Sequence, residues 1–273
     1  MKRMLVTGAG GLLGSEVVGI ARERGYEVVA TTRTDLDVTD EGTVRRFVVD
    51  GGSHGGGRRA RGPFTHVVHC AAYTAVDRAE TDSARARRVN AEATRYVARG
   101  AADVSAHFVY VSSDYVFDGE QRVPYLPDGV TAPLGVYGRT KLEGEQEALG
   151  SQPDALVVRT SWLYGAGGRN FVTSMLELAR SRKATGSTEP LHVVSDQRGR
   201  PSWARNVAAG LLDLLERRAR GVWHVADGGD ASWLELAREL FRLVALDVGV
   251  EPVTTAEWGA PARRPASVSY THL

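Results

Sequence analysis

Apolar residues fall in two rhythms along this chain. Residues 4–7 form a short apolar run, after which Leu13, Val17, Ile20 and Ala21 recur three and four positions apart. The first pattern predicts a strand and the second a helix facing a core. Further strand-like runs, rich in Val, cover 27–32, 66–71, 107–112 and 155–161, and helical patterns cover 84–101 and 137–149. Nearly continuous apolar strands separated by helices predict an α/β fold whose parallel sheet is covered on both faces. After Ser161 the pattern loosens. Phe171, Met175, Leu176 and Leu178 predict a helix, 191–195 a strand, 204–220 a helix, 221–226 a strand and 232–246 a last amphipathic helix. Residues 50–63 are rich in Gly and Arg and nearly devoid of apolar side chains, which predicts a solvated loop inserted before the third strand.

Composition narrows the class. The chain has 273 residues, 42% hydrophobic and 25% charged, with a formal net charge of +1. That balance argues against a nucleic-acid or membrane-surface partner. The one cysteine, Cys70, excludes an internal disulfide framework and fits the cytoplasm. The N-terminal apolar stretch is too short for a secretory signal, and no later run has membrane-spanning length. The seven histidines show no ligand spacing; His66 and His69 lie an odd number apart on one strand, on opposite faces.

The chemistry begins where the first strand runs into TGAGGLLG, with Gly8, Gly11 and Gly14 three apart. Glycine spacing alone describes any tight turn. Placed between a strand and a helix, it permits close approach of a pyrophosphate to backbone N–H groups at a helix N-terminus. The first 160 residues therefore read as a Rossmann-type dinucleotide-binding domain, a doubly wound parallel sheet, with 191–228 returning to it. Residues 161–273 mostly form a smaller C-terminal substrate lobe. The second strand ends in Thr31, Thr32 and Arg33 instead of the acid that bonds an NAD ribose. A guanidinium there can pair with a 2′-phosphate, which favours NADPH, while the nearby Asp35 and Asp37 keep NADH open. A solvated turn arginine is the plainer reading of Arg33 taken alone.

The fourth strand ends in VSSDYVF, and YGRTK follows at Tyr137 to Lys141. Tyr and Lys four apart share one helix face. An ammonium beside a phenol would lower the phenol's pKa, and a strand-end hydroxyl could bond a carbonyl under attack. A surface Tyr/Lys pair is common; its combination with the glycine loop, in this order, points to a reductase.

With these motifs the sequence resembles the extended short-chain dehydrogenase/reductases, and among them the dTDP-4-dehydrorhamnose reductases. The resemblance runs from Met4 to about Ser267 and rests on TGAGGLLG, CAAYTAVDRAE, SSDYVFDG, YGRTKLEGE, RTSWLYG, DQRGRPS and PARRP. It implies a catalytic triad of Ser113, Tyr137 and Lys141. It implies a cofactor loop of Gly8, Gly11, Leu12, Leu13 and Gly14, with Arg33, Asp37, Val38, Ala71, Ala72 and Thr74 along the dinucleotide, and Asn90 as a structural asparagine. Asp114, Tyr115, Trp162 and Arg264 would meet a dTDP-keto-deoxysugar, and Glu16 matches a position linked to Mg2+ at a homodimer contact. The implied activity is reduction of the 4-keto group of dTDP-4-dehydro-6-deoxy-L-mannose by NADPH. A nucleotide-sugar epimerase, a ketoreductase for a different deoxysugar, or a dinucleotide-binding regulatory subunit would share part of this pattern. Two departures stand out. The insertion at 50–63 is unusual, and the final SVSYTHL fits no family pattern, so a further helix is expected beyond PARRP, without which apolar surface is left wet.

Overall fold

A computed structural model describes residues 2–52, 62–121, 123–268 and 270. Most of the inserted loop, 53–61, lies outside the described residues. The chain enters on β1 (Arg3–Thr7), buried at every position. A strand covered on both faces has no reason to alternate, which is why Met4, Leu5 and Val6 run together. It continues through α1 (Leu12–Glu23), β2 (Glu27–Thr31), α2 (Glu41–Val49) and β3 (His66–His69). Asp40 caps α2, accepting from the Thr43 N–H at 2.9 Å. The helix expected over 84–101 is built in pieces: α3 (Val76–Ala79) precedes it, then α4 (Ser83–Arg87), a π-helical turn (Arg88–Glu92) and α5 (Ala93–Asp103). β4 (His107–Ser113), α6 (Val136–Ser151) and β5 (Leu156–Thr160) follow.

The second half uses smaller elements. They are β6 (Leu163–Tyr164), α7 (Phe171–Thr185), β7 (Leu191–Val194), β8 (Arg198–Gly199) and β9 (Ser202–Trp203). Then come α8 (Ala204–Glu216), β10 (Gly221–His224), β11 (Ala231–Ser232), α9 (Trp233–Leu243), β12 (Val250–Val253) and α10 (Thr255–Trp258).

Six strands form one parallel sheet in the order β10-β5-β4-β3-β1-β2. One face is covered by α1 and α8, whose Val17, Leu211 and Leu215 pack in a single core with Met4 and Val158. The other is covered by α2, α5 and α6 through Phe47, Val97 and Ala148. The architecture is therefore doubly wound, α/β, with a smaller lobe whose core joins Ala179, Leu191, Leu234 and Phe241. The expected return of 191–228 to the sheet needs one correction. α8 and β10 return, but Leu191–Val194 pairs with β12, four residues on each side, and belongs to the smaller lobe. The patterns at 191–195 and 221–226 are alike in sequence; only the long-range pairing separates them.

β1 is the point where the winding reverses, because β2 lies on one side of it and β3 on the other. Ligands of such sheets gather beyond the carboxyl ends of these strands. Two glycines hold that space open. Gly8 has φ +66°, and a Cβ on it would stand 2.5 Å from the Ala71 backbone nitrogen. A Cβ on Gly14 would stand 2.3 Å from the Gly8 carbonyl, so α1 packs against the turn only with glycine there.

Candidate functional site

A cleft of about 1020 Å³ opens at this switch point. Its walls bring together Gly8, Gly11, Leu12, Leu13 and Gly14 from the loop, and Arg33, Asp37 and Val38 from the end of β2. Ala71, Ala72 and Thr74 after β3, Ser113, Asp114 and Tyr115 after β4, Tyr137 and Lys141 on α6, and Trp162 after β5 complete the set. Residues spread over some 150 positions of sequence thus share one cavity.

The loop suits a dinucleotide. Gly11 caps α1 with extended backbone and no side-chain bond, leaving first-turn N–H groups unclaimed by any side-chain cap. The acids beyond β2 are held by local turns. Asp35 accepts from the Thr32 N–H at 2.8 Å and its hydroxyl at 2.6 Å, and Asp37 accepts from the Thr39 hydroxyl at 2.7 Å. Those bonds from Thr39 hold the Asp37 carboxyl below its usual range. Arg33 is exposed on the same wall.

The catalytic side chains are held by a buried polar framework. Asn90 accepts from the Tyr73 N–H at 2.8 Å and donates to the Thr140 hydroxyl at 3.0 Å, tying the loop after β3 to α6. Lys141 is 2% exposed; its Nζ donates to the Val111 carbonyl at 2.6 Å and sits 4.2 Å from the Tyr110 ring centre. Burial pulls its pKa down to about 7, with Glu145 opposing. Glu145 is itself clamped by Arg159 at 2.9 and 2.7 Å and by the Ser112 hydroxyl at 2.5 Å. The Tyr115 ring meets the Tyr137 ring edge-on at 5.2 Å.

Lys141 is not among the groups that move the Tyr137 phenol in this structure. Burial pushes the Tyr137 phenol up to about 12, the Ser113 hydroxyl pulls it down and Asp114 pushes it up. The ammonium is turned to the Val111 carbonyl. A phenol protonated at neutral pH is suited to give a proton, the direction a reduction requires.

Three further expectations meet different surroundings. Arg264 is not on the cleft wall; its Nη2 donates to Asp77 at 2.7 Å and its Nη1 to the Ala262 carbonyl at 3.1 Å. Its charge bears on the site through Tyr115, whose pKa burial raises and Arg264 lowers. Glu16 faces the Arg205 guanidinium at 3.6 Å. A cation is the wrong neighbour for a metal ligand, and among the described residues no group of three His, Cys, Asp or Glu could hold an ion, so the residues do not fit Mg2+. Val268 and Tyr270, from the final SVSYTHL segment, are buried with Val116, Phe117 and Tyr125.

Trp162 serves two ends. It lines the cleft and stacks on Trp233, ring centres 3.4 Å apart and planes 1° apart. Its φ of +44° is rare for a bulky residue and marks a backbone held by its surroundings. Trp233 is a partner that sequence reasoning missed, as it missed Arg85, Arg88 and Arg169 on the cleft wall. The i,i+3 spacing of Arg85 and Arg88 marks a shared helix face but not what that face overlooks.

A model of the RmlD substrate binding domain matches residues 1–271, which includes most of the final segment. A probable dTDP-4,6-dihydroxy-2-methyloxan-3-one 4-ketoreductase of Streptomyces antibioticus is 44% identical over 97% of this chain and 85% of its own length. A dTDP-4-dehydrorhamnose reductase of Mycolicibacterium smegmatis is 39% identical over 100% of this chain and 78% of its own. The crystal structure of dTDP-4-dehydrorhamnose reductase from Bacillus anthracis in complex with NADP superposes with a TM-score of 0.91, at 35% identity, covering 100% of this chain and 92% of that one. No helix of the described residues is long and apolar enough to cross a membrane.

Proposed function

The chain belongs to the RmlD substrate binding domain family, and on that premise we propose that it reduces the 4-keto group of dTDP-4-dehydro-6-deoxy-L-mannose to give dTDP-L-rhamnose, using NADPH, in the cytoplasm. The observation that carries the reading is that Ser113, Tyr137 and Lys141 share one cleft with the glycine loop. A dinucleotide-binding subunit without activity has no use for a buried phenol and ammonium placed there.

NADPH supplies the hydride. Gly8, Gly11 and Gly14 admit its pyrophosphate to the start of α1, and Arg33 is the cation for its 2′-phosphate. Ser113 orients the sugar carbonyl by its hydroxyl. Tyr137 holds the proton for the carbonyl oxygen as charge develops there. Lys141, buried behind it, supplies a cationic group on the same helix face. Trp162 offers the sugar a flat apolar face, backed by Trp233.

The similarity to a 4-ketoreductase of another dTDP-linked deoxysugar favours a second reading, the same chemistry on a differently configured 4-keto-6-deoxyhexose. One assay separates them: NADPH oxidation with freshly generated dTDP-4-dehydrorhamnose and, in parallel, with its dTDP-4-keto-6-deoxyglucose precursor. Turnover of the first supports the proposal; turnover of the second alone transfers the assignment to the other sugar; no turnover of either, or of any other dTDP-linked keto-deoxysugar, overturns the reductase reading.

A further inference from the structure

The loop between β6 and α7 lies against the start of α1. A Cβ on Gly165 would stand 3.1 Å from Leu12 Cδ1, and one on Gly167 would stand 3.4 Å from Ser15 Oγ. Leu12 and Ser15 belong to the first turn of α1, whose N–H groups no side chain caps. The loop is pinned there at its far end. Asn170 caps α7, accepting from the Thr173 N–H at 3.2 Å, and its Nδ2 donates to the Gly165 carbonyl at 2.8 Å and the Gly168 carbonyl at 3.1 Å. The Thr173 hydroxyl accepts from the Asn170 N–H at 3.0 Å and closes the capping box. Arg169, one residue before this cap, is exposed and lines the cleft. Its Nε meets the Ser174 hydroxyl at 3.4 Å, and among the described residues no carboxylate pairs with it. Arg182, Arg198 and Arg205, in the same half of the chain, are instead closed on Glu189, Asp230 and Glu23.

We propose that Arg169 binds the pyrophosphate of the dinucleotide, as a charged donor beside the first turn of α1. The role rests on the NADPH reading of the cleft. A pyrophosphate brings two negative charges, and the helix start answers them with neutral N–H groups and a partial positive charge. A guanidinium adds a full charge and a fork that matches two phosphate oxygens. What separates Arg169 from an ordinary surface arginine is its backbone. The bonds that start α7 also fix where its side chain leaves the chain, on a loop already seated on α1. The cofactor would then be held by both halves of the protein, by the glycine loop of the first and by the entry to α7 in the second. The nucleotide of a dTDP-sugar carries a diphosphate too; the contact of this loop with α1 favours the dinucleotide. Arg169 differs from Arg33 in what it reads, because the pyrophosphate is common to NADPH and NADH and the 2′-phosphate is not.

The test is Arg169→Ala, with Arg169→Lys beside it, read as equilibrium binding of NADPH, NADH and dTDP to the full chain. In Arg169→Ala the Kd values for NADPH and NADH are expected to rise by the same factor, about tenfold or more, with the Kd for dTDP unchanged. Arg169→Lys, which keeps the charge and loses the fork, is expected to fall between the two. The affinity of the Ala variant for NADPH should also weaken less steeply as salt is raised, which a purely structural defect would not produce. The melting temperature without ligand should stay near wild type, since the side chain is exposed. A loss confined to NADPH would assign Arg169 to the 2′-phosphate, and a loss for dTDP would assign it to the sugar nucleotide; either overturns the proposal, as does unchanged binding of all three. Wild-type protein that binds neither dinucleotide sinks the reductase reading itself.

Discussion

At the scale of single residues, the site is a set of groups whose ordinary ionisation has been moved by burial. Tyr137 is kept neutral and Lys141 is left near the point of losing its charge. Tyr137→Phe removes the proton and leaves the edge-on packing with Tyr115 in place. It is expected to lower kcat by about 10²-fold or more while NADPH affinity and melting temperature stay near wild type; near-normal turnover would remove Tyr137 from the chemistry. Tyr137 and Lys141 are legible in sequence as an i,i+4 pair on one helix face, and a strand-end hydroxyl as a local feature, while the choice of Ser113 over Ser112 comes from the resemblance. The direction of the Lys141 side chain is not legible. It depends on the Val111 carbonyl and the Tyr110 ring, on a strand some thirty residues earlier, and on burial that no local pattern encodes. The surroundings of Arg264 are not legible for a similar reason, since its partner Asp77 lies 187 positions away.

At the scale of elements, the helix and strand periodicities locate every strand of the central sheet to within a residue or two, because each is a short apolar run, fully covered in β1 and β5 and half-buried at the edges in β2 and β10. What periodicity leaves out is which strands pair. β7 and β10 show this, one joining β12 and the other β5. The contact between lobes is equally silent in sequence. α9 begins with Trp233 after a capping box in which Ser232 and Glu235 bond each other's backbone N–H groups, and this fixes where the indole points. Trp233 then backs Trp162, while Gly199 gives the indole room; a Cβ there would stand 2.4 Å from Trp162. Trp233→Ala is expected to raise the KM for the keto sugar about tenfold and to lower stability by about 1–3 kcal/mol, with NADPH binding unchanged and Trp233→Phe largely restoring both. A fall in melting temperature with an unaltered KM would make the stack packing alone.

At the scale of the whole molecule, residues 262–268 tie distant parts together. Ala262 and Arg264 are bonded to Asp77 on α3, Ser267 donates to the Gly119 carbonyl at 3.1 Å, and Arg198 donates to the Ala266 carbonyl at 2.8 Å. Asp77→Ala removes the acceptor for two of these links. The Asp77 side chain is 45% exposed, so screening limits the expected loss to about 1 kcal/mol. Its carboxyl is held below the usual range by Arg264, so this stability is present above the unfolded pKa of about 4 and is lost as pH falls below it. The melting temperatures of wild type and Asp77→Ala should therefore differ at pH 7 and converge near pH 3; a constant gap would place the effect elsewhere.

The position of β10 bears on how the molecule comes into being. This strand covers the outer edge of β5, yet the whole excursion from 161 to 220 is made between them. During synthesis β5 emerges with β4 on one side and bare N–H and C=O groups on the other, along an apolar Leu-Val-Val stretch. Such an edge is a template for pairing with other chains until its own partner arrives. The interval in which the nascent protein is vulnerable to misassembly is thus set by the length of chain between β5 and β10, and an insertion there would lengthen the exposure.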